Sequence, residues 1–344
     1  MRDEWLTWGV LLGAGPLTGD SVAPALLQAS NARLLCLAAE VDDGDEKGRD
    51  AGAVAARLGV GHVYSSYQAL LDDPEIACVA IALPVGLRRE WTVRAAEAGK
   101  HVLCASPLAV DRAGLNEMEA ACRAADVTLM EGLAPLFHPR VERLRDLLAR
   151  RVIGDLRHLT VDFGLPASVG EGGDTLVATD ANALLELTSC CVAVLVALVG
   201  AKPVSVAAVA AVGLSGETLD LEGLLEFRGG MTAQLVCSLI AAEANEWLAI
   251  GGEAGAISAP HPAFTAGPSD AAPICVQMTG APELDVLPGA PADPWLLMVE
   301  AFSQAILRGE PAPYTLSESR ATLRVLEALA RSADTGAPVR PGRR

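Results

Sequence analysis

The residues that could do chemistry begin with Gly13-Ala-Gly15-Pro-Leu-Thr18-Gly19, which follows an apolar run and opens a helical pattern. In that context Gly13 permits a tight turn, Gly15 lets the backbone approach a pyrophosphate, and the N–H groups of the helix start stabilise the anion. Pro16 withdraws one such N–H, Leu17 follows it, and Thr18 takes the place of a third glycine. A turn with no ligand is the competing reading. About 20 residues further on, Glu40 stands near where an acidic side chain grips the adenosine ribose hydroxyls. Asp42 and Asp43 beside it would repel a 2′-phosphate, which favours NAD over NADP. The alternative is that Glu40 merely opens a solvated acidic loop.

Ser106 closes the strand-like run His101-Val-Leu-Cys104-Ala-Ser. A hydroxyl is far too weak an acid or base to act alone, but it can hand a proton to a neighbour or orient a ligand oxygen. Glu131 ends a second such run at the side of the sheet where doubly wound folds hold ligands, so it is a candidate acid/base or hydroxyl ligand. His138, directly before Pro139, is either a helix-entry residue bonded to backbone or a catalytic imidazole. Arg88 and Arg89 at a helix start are either solvated or an anchor for a carboxylate or phosphate. Cys190-Cys191 sit in an apolar helix with no basic partner nearby in sequence, so a thiolate nucleophile is not expected. His62, His101, His158 and His261 lack ligand spacing, and no CxxC pair occurs, so no metal site is expected.

These residues need a scaffold, and the first third of the chain reads as one. Strands over 8–12, 34–39, 77–82, 101–104 and 127–130 alternate with helices over 20–30, 50–58, 90–98 and 115–125. That alternation is the signature of a parallel sheet covered by helices on both faces. Beyond Pro139 a helix over 141–150 leads into long runs at 159–163, 204–212, 219–227 and 231–240, with Gly229-Gly230 as a turn. These read as antiparallel strands interrupted by an apolar helix over 183–199. Pro and Gly thicken between 259 and 294 and suggest surface loops, and helices over 295–308 and 317–333 close the chain. The fold class expected is a doubly wound parallel α/β domain at 1–134, followed by an α+β domain at 135–344 with a large, mostly antiparallel open sheet.

At 344 residues, with 51% apolar side chains, the chain is long enough for two cores, and no run approaches the about 18 uncharged residues of a membrane span. Lys+Arg 26 against Asp+Glu 43 gives −17, which argues against nucleic acid or an anionic membrane as partner. The charged start Met1-Arg-Asp-Glu-Trp5 leads straight into a strand-like run, so no signal peptide is read and a cytoplasmic location is expected. Eight cysteines, mostly within apolar runs, read as reduced core residues.

Val79-Ala-Ile-Ala-Leu-Pro84, Leu87-Arg-Arg-Glu-Trp91, Ala95-Ala-Glu-Ala-Gly-Lys-His101, Met130-Glu131-Gly132 and Phe137-His138-Pro139 carry a further message. Together they resemble the Gfo/Idh/MocA family, in particular its dihydrodiol and xylose dehydrogenase-like branch, from Trp8 to about Val339. The resemblance implies a Rossmann domain binding NAD or NADP through Gly13, Gly15, Pro16, Leu17, Thr18, Glu40, Leu83, Pro84 and Arg88. It implies a substrate pocket containing Glu186, Cys190 and Ala193, and a homodimer or homotetramer formed through the open sheet. In that family a Glu-Lys-Pro motif supplies the lysine that moves a proton beside the nicotinamide. Here those positions read Ala105-Ser106-Pro107. The family's substrate-facing Tyr or His falls at Cys190, its Asp or Asn at Ala193, and two early-loop polar residues at Val85 and Arg88.

Three functions compete on these grounds. The first is an oxidoreductase acting on a sugar, cyclic diol or related small molecule, with a rebuilt proton relay through Ser106, Glu131 or water. The second is a cyclase, isomerase or lyase that reuses the pocket as an apolar chamber. The third is a binding or regulatory protein without turnover, in which no cofactor need be retained.

Overall fold

The computed structural model of the chain describes residues 5–13, 19–39, 51–166, 168–169, 175–176, 183–213 and 216–342. Its elements open with β1 (Leu6–Leu12), α1 (Gly19–Gln28), β2 (Ala32–Ala38), α2 (Ala51–Leu58), β3 (His62–Tyr64), α3 (Tyr67–Leu71) and β4 (Cys78–Ala82). Next come α4 (Val85–Glu97), β5 (His101–Ala105), α5 (Arg112–Ala124), β6 (Leu129–Gly132), α6 (Pro139–Ala149), β7 (Leu156–Pro166), β8 (Ser168–Val169) and β9 (Thr175–Leu176). After α7 (Ala183–Val199) run β10 (Ser205–Val212), β11 (Thr218–Glu226), β12 (Thr232–Ala241), β13 (Asn245–Gly252) and β14 (Gly255–Ala259). The chain ends with β15 (Ile274–Met278), β16 (Asp285–Leu287), α8 (Pro294–Arg308) and α9 (Leu316–Thr335). Two compact units result: Met1–Ala134 with Trp295–Arg320, and Pro135–Pro294 with Ala321–Arg344.

The first unit holds a parallel sheet in the order β3-β2-β1-β4-β5-β6. Its central strands are continuous apolar runs, as strands covered on both faces must be, and every residue of β4 is buried. Asp111 caps α5 by accepting from the Gly114 N–H at 2.8 Å. Helix α4 starts at Val85, five residues before the expected 90–98, because Pro84 at its N-cap turns the chain directly out of β4. Arg88 thereby falls on the inward face of α4 and is buried.

Helix α8 joins this unit from Trp295 onward. Phe302 is fully buried and meets Trp8 of β1 edge to face, with ring centroids 5.7 Å apart. The Glu300 carboxyl accepts from Ser30 N at 2.8 Å and Ser30 Oγ at 2.7 Å, and its carbonyl accepts from Asn31 Nδ2 at 2.9 Å. A single boundary after residue 134 therefore does not describe the units, since Trp295–Arg320 belong with Met1–Ala134.

The second unit is built on an eight-stranded sheet, β10-β11-β12-β7-β13-β14-β15-β16. Only the β12–β7 pair within it is parallel. Gly229 and Gly230 take φ of 88° and 84° between β11 and β12, a left-handed pair that disfavours side chains. Apolar α7 packs on β7, β11, β12 and α6, with Leu187, Cys191 and Leu195 in a core shared with Leu235, Leu326 and Leu329. The stretch 259–294, expected as loops, contains strands β15 and β16, the second at the sheet edge, and Ile274 and Val276 of β15 are buried. Among the described residues no helix is long and apolar enough to cross a membrane.

Fully burying a phenylalanine side chain is worth about 1.5–3 kcal/mol before any cavity cost. Phe302→Ala should therefore lower the unfolding free energy of the first unit by about 3–5 kcal/mol. Denaturant titration followed by the fluorescence of Trp8 in a variant with the other four tryptophans replaced by phenylalanine would read this, and a change below about 1 kcal/mol would show that α8 is only loosely attached.

Candidate functional site

The sheet order of the first unit reverses between β1 and β4, and in doubly wound folds a crevice opens outside the strand ends at that point. Gly13 leaves β1 there, with its N–H donating to the Ala82 carbonyl at 3.0 Å. A Cβ at Gly13 would meet Pro84 Cδ at 2.7 Å and Leu83 Cα at 3.1 Å, so the close approach of β1 to the end of β4 requires glycine. Tyr67 steadies the same strand end, its hydroxyl donating to the Leu12 carbonyl at 2.7 Å. Gly13 therefore ends β1 at the place where such folds receive a dinucleotide. Gly15, Pro16, Leu17, Thr18 and Glu40 lie outside the described residues. Leu83 is buried, and Pro84 is the N-cap residue of α4.

Two strands further along, Ser106 and Glu131 come together. The Ser106 hydroxyl, at the end of β5, donates to Glu131 Oε1 at 2.8 Å, and the Ser106–Pro107 peptide is cis. Ser106 is half-buried, whereas Glu131 on β6 is 2% exposed. Burial raises the Glu131 pKa above its ordinary 4.5. Ser319, Ser106, the Arg88 charge and the Leu108 backbone all pull it back towards the ionised form. Ser319 does so without a well-formed bond, because its Oγ and Glu131 Oε2 are buried atoms lacking hydrogen-bond partners among the described residues.

Of the two readings of Arg88, a solvated side chain is not what the fold shows. Arg88 is 1% exposed, and Nε donates to the Leu83 carbonyl at 2.7 Å while Nη1 donates to the Pro107 carbonyl at 2.8 Å. The guanidinium thus ties the end of β4 to the turn carrying Ser106. Burial pushes the neighbouring Cys104 thiol up to about 12, so it is held protonated.

The remaining candidates belong to the second unit. His138 takes the helix-entry role: its Nδ1 accepts from the Arg140 N–H at 3.0 Å as N-cap of α6. That bond leaves the ring proton on Nε2, and burial with the nearby Arg140 charge lowers the pKa, so the ring is neutral. Glu186 and Ala193 are buried in α7, and burial drives the Cys190 and Cys191 thiols far above their ordinary range. Arg140 carried no signal beyond its place after Pro139, yet it is buried and donates to the carbonyls of Pro262, Ala263 and Ala272 at 2.6, 3.1 and 3.0 Å. Glu246 fixes the same loop by accepting from Phe264 N at 2.7 Å and Thr265 N at 2.9 Å. Among the described residues no cluster of His, Cys, Asp or Glu could hold a metal ion.

The raised pKa of Glu131 has a consequence for stability. In the unfolded chain this carboxyl loses its proton near 4.5, whereas the folded chain holds the proton to higher pH. Between those two values the folded state binds more protons, so this group's contribution to stability falls as pH rises and then levels off. Glu131→Gln removes that ionisation. The melting temperature of the variant relative to the parent should rise steadily from about pH 4.5 upward. A difference that does not change with pH would mean that the folded carboxyl ionises like an exposed one.

Comparison with known proteins agrees with this geometry. Residues 9–133 match the oxidoreductase family with an NAD-binding Rossmann fold, and residues 141–258 match the Gfo/Idh/MocA C-terminal domain. The chain is 32% identical to D-xylose 1-dehydrogenase (NADP(+)) 2 of Haloferax volcanii, covering 96% of this chain and 98% of that one. It is 31% identical to trans-1,2-dihydrobenzene-1,2-diol dehydrogenase of Mus musculus over 68% of each chain. A 3-ketoreductase from Actinomadura kijaniata, solved with NADP and TDP-benzene, superimposes with a TM-score of 0.83 at 26% identity, covering 95% of this chain and 98% of that one. With matched sequence on both units, a parallel six-stranded sheet in Rossmann order and a mostly antiparallel second sheet, the chain belongs to the Gfo/Idh/MocA family of NAD(P)-binding oxidoreductases.

Proposed function

We propose that this chain interconverts a secondary hydroxyl and a ketone on a sugar or cyclic diol, with Ser106 and Glu131 moving the proton. The observation that carries the reading is the 2.8 Å bond between the half-buried Ser106 hydroxyl and the buried Glu131 carboxyl. A bound nicotinamide would supply the hydride acceptor or donor. In the oxidative direction Ser106 Oγ accepts the proton of the substrate hydroxyl while its own proton passes to Oε1 of ionised Glu131. In the reductive direction both transfers reverse. Serine alone is too weak for either task, but a serine hydrogen-bonded to a carboxyl whose pKa burial has raised can pass its proton on. The relatives' named substrates, a pentose, a dihydrodiol and a nucleotide-linked didehydro sugar, support a hydroxylated sugar or cyclic diol as the class of substrate.

Gly13, Gly15, Pro16, Leu17, Thr18, Leu83 and Pro84 would hold the dinucleotide, and Glu40 with Asp42 and Asp43 favours NAD, although two of the relatives are named with NADP. The open face of the second sheet supports self-association. Val209 is 65% and Trp247 is 40% exposed there, at opposite ends of a cross-strand row completed by Glu222, Val236 and Asp162. Eight free thiols fit a reducing cytoplasm.

Titrating NADH and NADPH while following nicotinamide fluorescence, then screening sugars, polyols and cyclic diols for turnover, tests this reading. Both nucleotides should bind, NADH more tightly. Ser106→Ala should lower kcat by about 10²-fold, with Glu131→Gln at least as damaging. Turnover that survives Ser106→Ala unchanged would remove the relay.

A further inference from the structure

The start of α9 brings Ser319 to the carboxyl of Glu131. Thr315-Leu-Ser-Glu318 is a capping box: the Glu318 carboxyl accepts from the Thr315 N–H at 2.7 Å and from its hydroxyl at 2.7 Å. Ser319 follows at once, its N–H donating to the Thr315 carbonyl at 3.1 Å. Arg320 then pins the turn to α5 through Asn116 and Glu119. Ser319 is thus held from both sides in sequence, and its hydroxyl is buried at 3% exposure. That hydroxyl is close enough to act on the Glu131 carboxyl, whose Oε2, like the hydroxyl itself, is buried without a hydrogen-bond partner among the described residues. Two such orphans are costly unless one completes the other in some state of the protein.

We propose that Ser319 is a positioning residue for Glu131, its hydroxyl donating to Oε2 when the carboxyl is ionised and releasing it when the proton returns. The proposal rests on the relay described above and adds its interior half. Oε1 exchanges a proton with Ser106, while Oε2 is received by Ser319. The other groups facing this carboxyl are Arg88 from α4, the protonated Cys104 thiol of β5 and the Leu108 backbone. Arg88 has donors engaged with Leu83 and Pro107, so it acts on Glu131 as a fixed charge. Ser319 is the adjustable donor, since a hydroxyl can turn its hydrogen towards or away from the carboxyl.

A donor to the ionised form holds the carboxyl's pKa down, so removing it must move ionisation to higher pH. Infrared difference spectra of the intact protein would follow the protonated-carboxyl band that Glu131→Gln lacks. Ser319→Ala should move its titration midpoint up by about one pH unit, and Ser319→Thr, which keeps the hydroxyl, should stay with the parent. The pH profile of kcat for alcohol oxidation should shift by the same amount in Ser319→Ala, with KM unchanged above the new midpoint. An unmoved midpoint in Ser319→Ala overturns the proposal. If that variant folds poorly, Ser319→Cys, a weak donor of similar volume, must shift the midpoint in the same direction, and an unmoved midpoint there overturns it equally. Turnover that is indifferent to Glu131→Gln would instead defeat the relay, and the infrared midpoint would still decide the role of Ser319.

Discussion

A carboxyl group almost closed off from water, at the end of β6, is the constraint around which the first unit is organised. Taking an ionised carboxylate out of water costs several kcal/mol even after the surroundings relax, so Glu131 is tolerable there only as a protonated group or as a well-served anion. The chain provides for both. Helix α4 contributes the Arg88 charge, the turn after β5 contributes Ser106 and Leu108, and α9 contributes Ser319. None of these elements is adjacent to β6 in sequence. Their convergence requires the parallel sheet order, the early start of α4 at Val85 and the return of the chain through α8.

Exchanging an amine for a hydroxyl backed by a carboxyl changes the charge of a proton relay without changing its arithmetic. A lysine alternates between cation and neutral amine, whereas the relay proposed for Ser106 and Glu131 would alternate between neutral acid and anion. Each carries one proton per cycle. The pair needs a surrounding positive charge to keep its anion accessible, and the buried Arg88 supplies one. A net charge of −17 over the whole chain does not bear on this, because surface charges are screened over distances of about 10 Å.

Much of the scaffold was legible from residue pattern. Strands β1, β4 and β5 announce themselves as unbroken apolar runs, and α7 as an apolar stretch of helical length. Strand β3 escaped because its three residues are largely exposed and carry no period. Strands β15 and β16 escaped because proline and glycine dominate their surroundings. At the site, Glu131 was readable as the end of a strand, and Ser106 through the motif it interrupts. Arg88 was not, since an arginine on a helix ordinarily faces water and only tertiary packing turned it inward. The capping box at Thr315 marks where α9 begins, but that its next residue meets Glu131 is a fact of packing alone.

The placement of Arg88 also bears on how such a site can change over evolutionary time. Its guanidinium grips main-chain oxygens on either side, at Leu83 and Pro107, and so fixes the course of the loop whatever side chain stands at position 106. That makes residue 106 an exchangeable fitting in a rigid mount. A substitution at position 106 therefore leaves both main-chain anchors of the loop in place.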